Sequence, residues 1–431
     1  MDKFVIKGGN KLKGEVIISG SKNIALPTII SSVISKEILT LSNIPQIKDV
    51  ENILQILSKM GCKITISDNN FDNLGFYGQE IKIDSSAINI HKIDFEIVRQ
   101  MRASVVMLGP LLARFGKAKV YMPGGCVIGS RPIDIHIDGL QELGAEIKIE
   151  GGFIVANASN GLYGAEINLA LPSVGATQNI AMAAVTAKGT TIINNASIEP
   201  EVVEPLKLLQ MMGARIEGIG TKILTIEGSN GLLENKVSYQ IPYDRFEAGT
   251  YAMMAIATDG DLTLKRVDGL CHSYLKYLEK AGGGIENISE KCVRIFRNNE
   301  KINPLNITTN YYPGYPTDLQ AQMMAMLTIA DGTSIINETI FENRMMHVPE
   351  LNRLGAKITV NGNIATINGV EKLTSASVMS SDIRASVALV LAGLIAEGVT
   401  EVHRIYHLDR GYEELHNKLK ICGAEIERVS A

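Results

Sequence analysis

The chain has 431 residues, 45% of them apolar, which is ample for two ordinary hydrophobic cores and long for one. Its net charge of −4 comes from interspersed signs, and with no Trp and 5% aromatics it offers neither a basic face nor a stacking surface, which excludes nucleic acid as an expected partner. Five Cys without CxxC or Cys/His metal spacing, and a Met1-Asp2-Lys3 start that runs straight into a strand, point to a reduced cytoplasm, while the longest apolar stretches, near Ser386 to Ala396, are too short to span a bilayer.

Along the chain the same elements recur. The first helix, Ile24 to Ile30, is apolar nearly all round and is introduced by Lys22-Asn23. An amphipathic stretch, Val50 to Leu57, then ends at Gly61, and Gly61-Cys62-Lys63-Ile64 leads into a β-branched strand. A glycine in that place serves as a left-handed helix C-cap. The pattern returns at Gly144, Gly213, Gly282, Gly355 and Gly423, at intervals of 83, 69, 69, 73 and 68 residues. A second marker keeps the same beat: an apolar helix, a turn, then a strand rich in Thr, Val and Ile. Its turns fall at Ser35-Lys36, Gly116, Gly189, Gly260, Gly332 and Gly398. Two markers in phase six times predict six βα-rich units. The period exceeds that of a solenoid repeat, so the units should close into two globular halves of three, divided in the polar stretch from 228 to 244.

The six apolar helices must be buried on every side, whereas those before the Gly-x-x-Ile turns have a polar face and belong nearer the surface. Polar residues open each buried helix: Lys22-Asn23, Arg102, Ser173 to Asn179, Asp244 to Glu247, Thr317-Asp318-Leu319-Gln320, and Asp382-Ile383-Arg384. Helix capping explains the Ser and Asp. It does not explain Lys22, Arg102 or Arg384, since cations oppose the positive end of the helix dipole. Helix starts and cations aimed into one cleft between the halves would make a site for a highly anionic ligand.

In the second unit the loop from Pro123 to Pro132 (PGGCVIGSRP) interrupts the pattern, with three Gly between two Pro. That composition describes a mobile lid with fixed ends, and Arg131 and loop amides would favour the thiolate of Cys126. Cys62 and Cys422, in the Gly-x-x-Ile turns, are explained by packing. Asp134, His136 and Asp138 share a face only if their segment is extended, and no partner ligands accompany them, so no metal site is expected.

Taken together, several stretches resemble the UDP-N-acetylglucosamine enolpyruvyl transferases over essentially the whole chain. They are SKNIALP (21–27), MRAS (101–104), PGGCVIGSRPIDIH (123–136), SVGAT (173–177), YPTDLQAQ (315–322), FENRMMHVPEL (341–351), SDIRAS (381–386) and RIYHLDRGYEE (404–414). The shikimate-pathway enolpyruvyl transferases are similar in their six-unit architecture but lack the Cys loop. A catalytically idle UDP-sugar-binding paralogue would have no need of Lys22, Cys126, Asp318, Arg344 and Arg410 together.

The resemblance implies an α/β fold, a two-domain inside-out α/β barrel of six βαβαββ units with buried helices and outer sheets. Residues 22–241 would form one domain, and residues 1–21 with 242–431 the other. The first twenty or so residues would form a strand of the second domain, and the active site would lie in the cleft between the domains. The implied reaction moves the enolpyruvyl group of phosphoenolpyruvate to the 3′-hydroxyl of UDP-N-acetylglucosamine with release of phosphate, the first committed step of peptidoglycan precursor synthesis, and needs no cofactor or metal. Membrane and nucleic acid are not implied as partners. By resemblance Lys22, Asn23, Arg131, Arg344 and Arg410 would hold phosphoenolpyruvate. Asn23, Arg102, Arg131, Pro132, Ile133, Asp134, Ile135, Ser173, Val174, Asp318 and Ile340 would hold the nucleotide sugar. Cys126 would donate a proton, Asp318 would act as base, and Lys22 and Arg410 would complete the catalytic set. Some relatives carry a lysine where this chain has Leu171, so that contact is not carried over.

Overall fold

In a computed structural model, residues 2–68, 78–93, 102–122 and 133–430 are described. They fall into two compact units, residues 2–19 with 243–430 and residues 20–242, each with its own apolar core.

The six-fold pattern has a direct structural meaning. All six Gly-x-x-Ile glycines have φ between +89° and +109°, the left-handed region in which a Cβ is strained. Each ends an outer helix and starts a strand. The second marker is less uniform: Gly116, Gly189, Gly332 and Gly398 are left-handed, but at Gly260 the positive φ sits one residue earlier, on Asp259. Asp and Asn tolerate that region better than other non-glycine residues.

The described residues form six four-stranded sheets. In four of them the strand after the buried helix pairs in parallel with a strand before that helix and antiparallel with the return strand of a hairpin. Lys117–Tyr121, for example, pairs in parallel with Lys92–Ile93 and antiparallel with Phe153–Asn157, in the register Lys117 to Asn157. Two sheets are completed by the start of the chain. Lys13–Ile17 pairs in parallel with Asp261–Lys265, and Asp2–Lys7 lies between Val399–His403 and Glu425–Ser430, antiparallel to both. The opening residues therefore supply two strands to two sheets, not the single strand expected. In the other unit Val237–Gln240 returns to pair with Leu39–Ile44.

The buried helices are Lys22–Ser31, Leu108–Phe115 (preceded by a 3₁₀ turn, Arg102–Met107), Val174–Ala184, Arg245–Ala257, Gln320–Leu327 and Ile383–Ile395. Every residue of 245–257 and of 320–327 is buried. With no polar stripe, such helices are stable only inside a core, where each large apolar side chain contributes about 1.5–3 kcal/mol. Helices 245–257, 320–327 and 383–395 pack on one another. By contrast Lys48–Lys59, with buried Val50, Ile53, Leu54, Ile56 and Leu57 on one side, covers its unit from outside.

Candidate active site

In the 243–430 unit, three buried helices begin in one polar cluster. Asp244 accepts hydrogen bonds from Phe246 N (2.8 Å) and Glu247 N (3.1 Å), and Asp382 accepts from Arg384 N (2.9 Å) and Ala385 N (3.1 Å). Both are helix N-caps, as their residue type implies. Asp318 is not. Pro316 caps the 3₁₀ turn Thr317–Leu319, which leaves the Asp318 carboxylate for two guanidiniums. Arg344 Nη2 reaches Oδ1 and Arg384 Nη2 reaches Oδ2, each at 2.8 Å. Burial pushes the Asp318 carboxyl up, but Arg384 and Arg344 outweigh it and hold it far below the usual carboxylate range.

The cation at the start of helix 383–395 thus answers a carboxylate from a neighbouring helix, which cancels its conflict with the dipole. Arg384 is itself bolted in place. Its Nη1 donates to Tyr412 Oη at 3.2 Å, and its guanidinium lies 5.1 Å from the centre of the Phe246 ring. Thr250 and Gln322 complete the hydrogen bonding around Tyr412 Oη, at 2.9 and 3.3 Å. Arg344 is 5% exposed, stacks its guanidinium 5.4 Å from the Phe341 ring, and has an Nη1 that makes no hydrogen bond among the described residues. A buried guanidinium with an unmet donor is costly, and it suits an arriving anion. Arg410 is half-buried at the end of the 3₁₀ turn Ile405–Arg410, and Ile340 is half-buried in the segment leading to Arg344.

In the 20–242 unit, Lys22 opens its helix and pairs with Asp49 from the outer helix, Nζ to Oδ2 at 2.8 Å. Asn23 follows it, half-buried. Ser173 caps helix 174–184 through Ala176 N at 3.3 Å, with Val174 half-buried behind it. Leu171, where a lysine contact was not carried over, is exposed.

Asp134, Ile135 and His136 lie in the helix Asp134–Glu142, with Ile133 at its N-cap. A helix turns about 100° per residue, so Asp134 and Asp138 share a face and His136 points away from it, and the extended segment that would align all three is not formed. His136 is buried, with Nδ1 3.0 Å from Asn179 Nδ2, while both aspartates face outward. Asn179 also accepts from Gly109 N (2.6 Å) and donates to Val105 O (3.1 Å), tying three helices together. Among the described residues no group of three or more His, Cys, Asp or Glu could hold a metal.

Cys126, Arg131 and Pro132, the lid loop and the Arg102 side chain lie outside the described residues. The other four cysteines are free. Burial pushes Cys422 up to about 11, and it also raises Cys62 despite a contact with Ser85, which fits packing roles. Arg384 and Tyr412 are central to the cluster without a role assigned from the sequence. Arg384 reads there only as a cation in the wrong place on a helix, and that misfit is its signal. Tyr412 lies inside the RIYHLDRGYEE stretch but carries no local sign of its contact with Arg384.

Comparison with known proteins bears on the chain as a whole. A sequence profile of EPSP synthase (3-phosphoshikimate 1-carboxyvinyltransferase) matches residues 6–419. UDP-N-acetylglucosamine 1-carboxyvinyltransferase of Xanthobacter autotrophicus is 50% identical over 432 residues, and that of Brucella ovis 48% over 431, each covering all of both chains. Among solved structures, the enolpyruvyl transferase NikO from Streptomyces tendae superposes with a TM-score of 0.88 at 22% identity, covering 100% of this chain and 99% of that one. An EPSP synthase from Acinetobacter baumannii gives 0.77 at 18%, covering both chains completely. These two establish the fold, and the two-unit α/β architecture agrees with it. The chain belongs to the EPSP synthase family, in the group of the UDP-N-acetylglucosamine 1-carboxyvinyltransferases.

Proposed function

We propose that this chain transfers the enolpyruvyl group of phosphoenolpyruvate to the 3′-hydroxyl of UDP-N-acetylglucosamine and releases phosphate, the opening step of peptidoglycan precursor synthesis. The observation that carries the reading is the match at 50% identity, over the whole of both chains, to a relative bearing that name. In the reaction C3 of phosphoenolpyruvate gains a proton while the sugar oxygen attacks C2. Phosphate and a proton from C3 then leave, and the enol ether remains. An acid, a base and fixed cations meet those demands without a cofactor.

We assign Cys126 as the acid, Asp318 as the base, and Lys22, Arg131, Arg344 and Arg410 to phosphoenolpyruvate, with Asn23 beside Lys22. The nucleotide sugar takes Asn23, Arg102, residues 131–135, Ser173, Val174, Asp318 and Ile340. The domains on this reading are residues 22–241, and 1–21 with 242–431, with substrate groups drawn from both. A carboxylate clamped by two guanidiniums is a weak base, so the reading requires one clamp to open. Arg344, with its unmet Nη1, is the member that turns to an incoming anion, and Asp318 then regains basicity. The setting would be the cytoplasm; the four unbridged cysteines and the absence, among the described residues, of any helix long and apolar enough to cross a membrane support it.

The reading is tested at Cys126. In Cys126→Ala, phosphate release should fall by a factor on the order of a hundred or more while UDP-N-acetylglucosamine still binds. The epoxide fosfomycin should add its mass to Cys126 in the parent chain. An undiminished rate in the variant would remove Cys126 from the acid role.

A further inference from the structure

We infer that Glu338 is the positioning residue that sets the Asp318–Arg344 pair, an inference that rests on the transferase reading. Glu338 follows the strand Thr333–Asn337 and is 2% exposed. Among the described residues its carboxylate is met by hydroxyls and amides, not by a cation. Oε1 accepts from Thr309 Oγ1 (2.9 Å), Ile340 N (2.9 Å) and Phe341 N (3.3 Å), and Oε2 accepts from Thr317 Oγ1 (2.8 Å).

Those partners are not scattered. Thr317 is the residue before Asp318. Phe341 carries the ring against which the Arg344 guanidinium lies, 5.4 Å from its centre. Ile340 is among the residues assigned to the nucleotide sugar. One oxygen therefore holds the segment that delivers Arg344 and Ile340, and the other holds the turn that delivers Asp318. Thr309 fixes the arrangement from behind: its Oγ1 also accepts from Thr339 N at 2.8 Å, and its carbonyl accepts from Thr339 Oγ1 at 2.5 Å. Burying a carboxylate without a cation is expensive unless every lone pair is used. Here four hydrogen bonds offset the cost, and they also join the base to the guanidinium that must release it; small displacements of such groups cost rate steeply.

The test compares Glu338→Ala, Glu338→Gln and Thr317→Val with the parent chain for kcat, for KM of each substrate and for the unfolding midpoint. Glu338→Ala should lower kcat by on the order of ten- to a hundredfold and weaken UDP-N-acetylglucosamine by about tenfold through Ile340. Glu338→Gln should recover kcat to within about threefold. Its amide oxygen still accepts from the two backbone N–H groups, and its NH₂ can donate to Thr317 once that hydroxyl reverses. Thr317→Val cuts only the arm to Asp318, so kcat should fall severalfold with KM for the nucleotide sugar unchanged. A folded Glu338→Ala with parental kcat and KM, or one altered only in its unfolding midpoint, would overturn the inference. If that variant does not fold, an unchanged kcat in Thr317→Val overturns it instead. Absence of turnover in the parent chain would sink the transferase reading separately. Calorimetric binding of UDP-N-acetylglucosamine to Glu338→Ala would then still report the hold on Ile340.

Discussion

Asp318 shows how far a single residue can be read from its surroundings in the sequence. Its place before an apolar helix makes an N-cap the plain expectation, yet the backbone turns two residues early at Pro316 and the carboxylate goes to Arg344 and Arg384. Lys22 and Arg384 were legible as misfits, because a cation at a helix start has to be answered by something. The answering carboxylates, Asp49 and Asp318, lie 27 and 66 residues away and gave no local sign. Glu338 gave none either, since nothing in a lone Glu after a strand announces four hydrogen bonds.

Titration adds a test at this scale. Burial holds His347 down to about 4, with Asp382 pulling it up and Arg344 pushing it down. A folded-state value below the unfolded one means that the neutral ring is the form that fits. Its contribution to stability is complete above about pH 6.5 and is lost as pH falls from there through about 4. The unfolding midpoint should therefore drop between pH 7 and pH 5, and His347→Gln should flatten part of that drop. An identical pH profile in the variant would contradict the assignment.

Among elements, the helices and their ends were the most legible, because periodicity and the Gly-x-x-Ile turn are local signals. Strand partnership was not. No local pattern pairs Lys3 with His403 or Asp261 with Lys13, and only the closing of each unit requires them. The end of the second of these opening strands is held by a buried ionic group. Lys418 Nζ lies 2.8 Å from Glu247 Oε1 and 2.7 Å from Ser19 Oγ, Ser19 N donates to Glu247 Oε2 at 2.7 Å, and Ser19 Oγ donates to Glu413 at 2.5 Å. It ties the chain just after the strand Lys13–Ile17 to helix 245–257 and to helix Leu415–Ile421. Removing one partner leaves a buried charge uncompensated, so Lys418→Met should cost about 3–5 kcal/mol in chemical denaturation. Adding Glu247→Gln should recover part of that loss. A cost within experimental scatter of zero would show the group to be dispensable.

At the scale of the whole molecule, two separate cores predict two units able to respond differently to heat or denaturant. The residues assigned to UDP-N-acetylglucosamine come from both, Asn23 and Ser173 from one and Asp318 and Ile340 from the other. Ligand at about 100 times its Kd stabilises by about 2.7 kcal/mol. Hydrogen exchange should show that protection in the cores of both units, and protection confined to one would contradict the shared assignment. The six-fold beat made the scaffold readable from sequence, but it could not name the chemistry, which we assign to the Cys126 loop and to contacts between segments far apart in the chain.

The central claim is tested most directly by phosphate release from the purified chain. With phosphoenolpyruvate and UDP-N-acetylglucosamine together, release should be catalytic; with either alone, or with shikimate 3-phosphate in place of the nucleotide sugar, it should stay at background. Background release with both substrates, in protein shown by calorimetry to bind UDP-N-acetylglucosamine, would contradict the claim and leave a binding protein in its place.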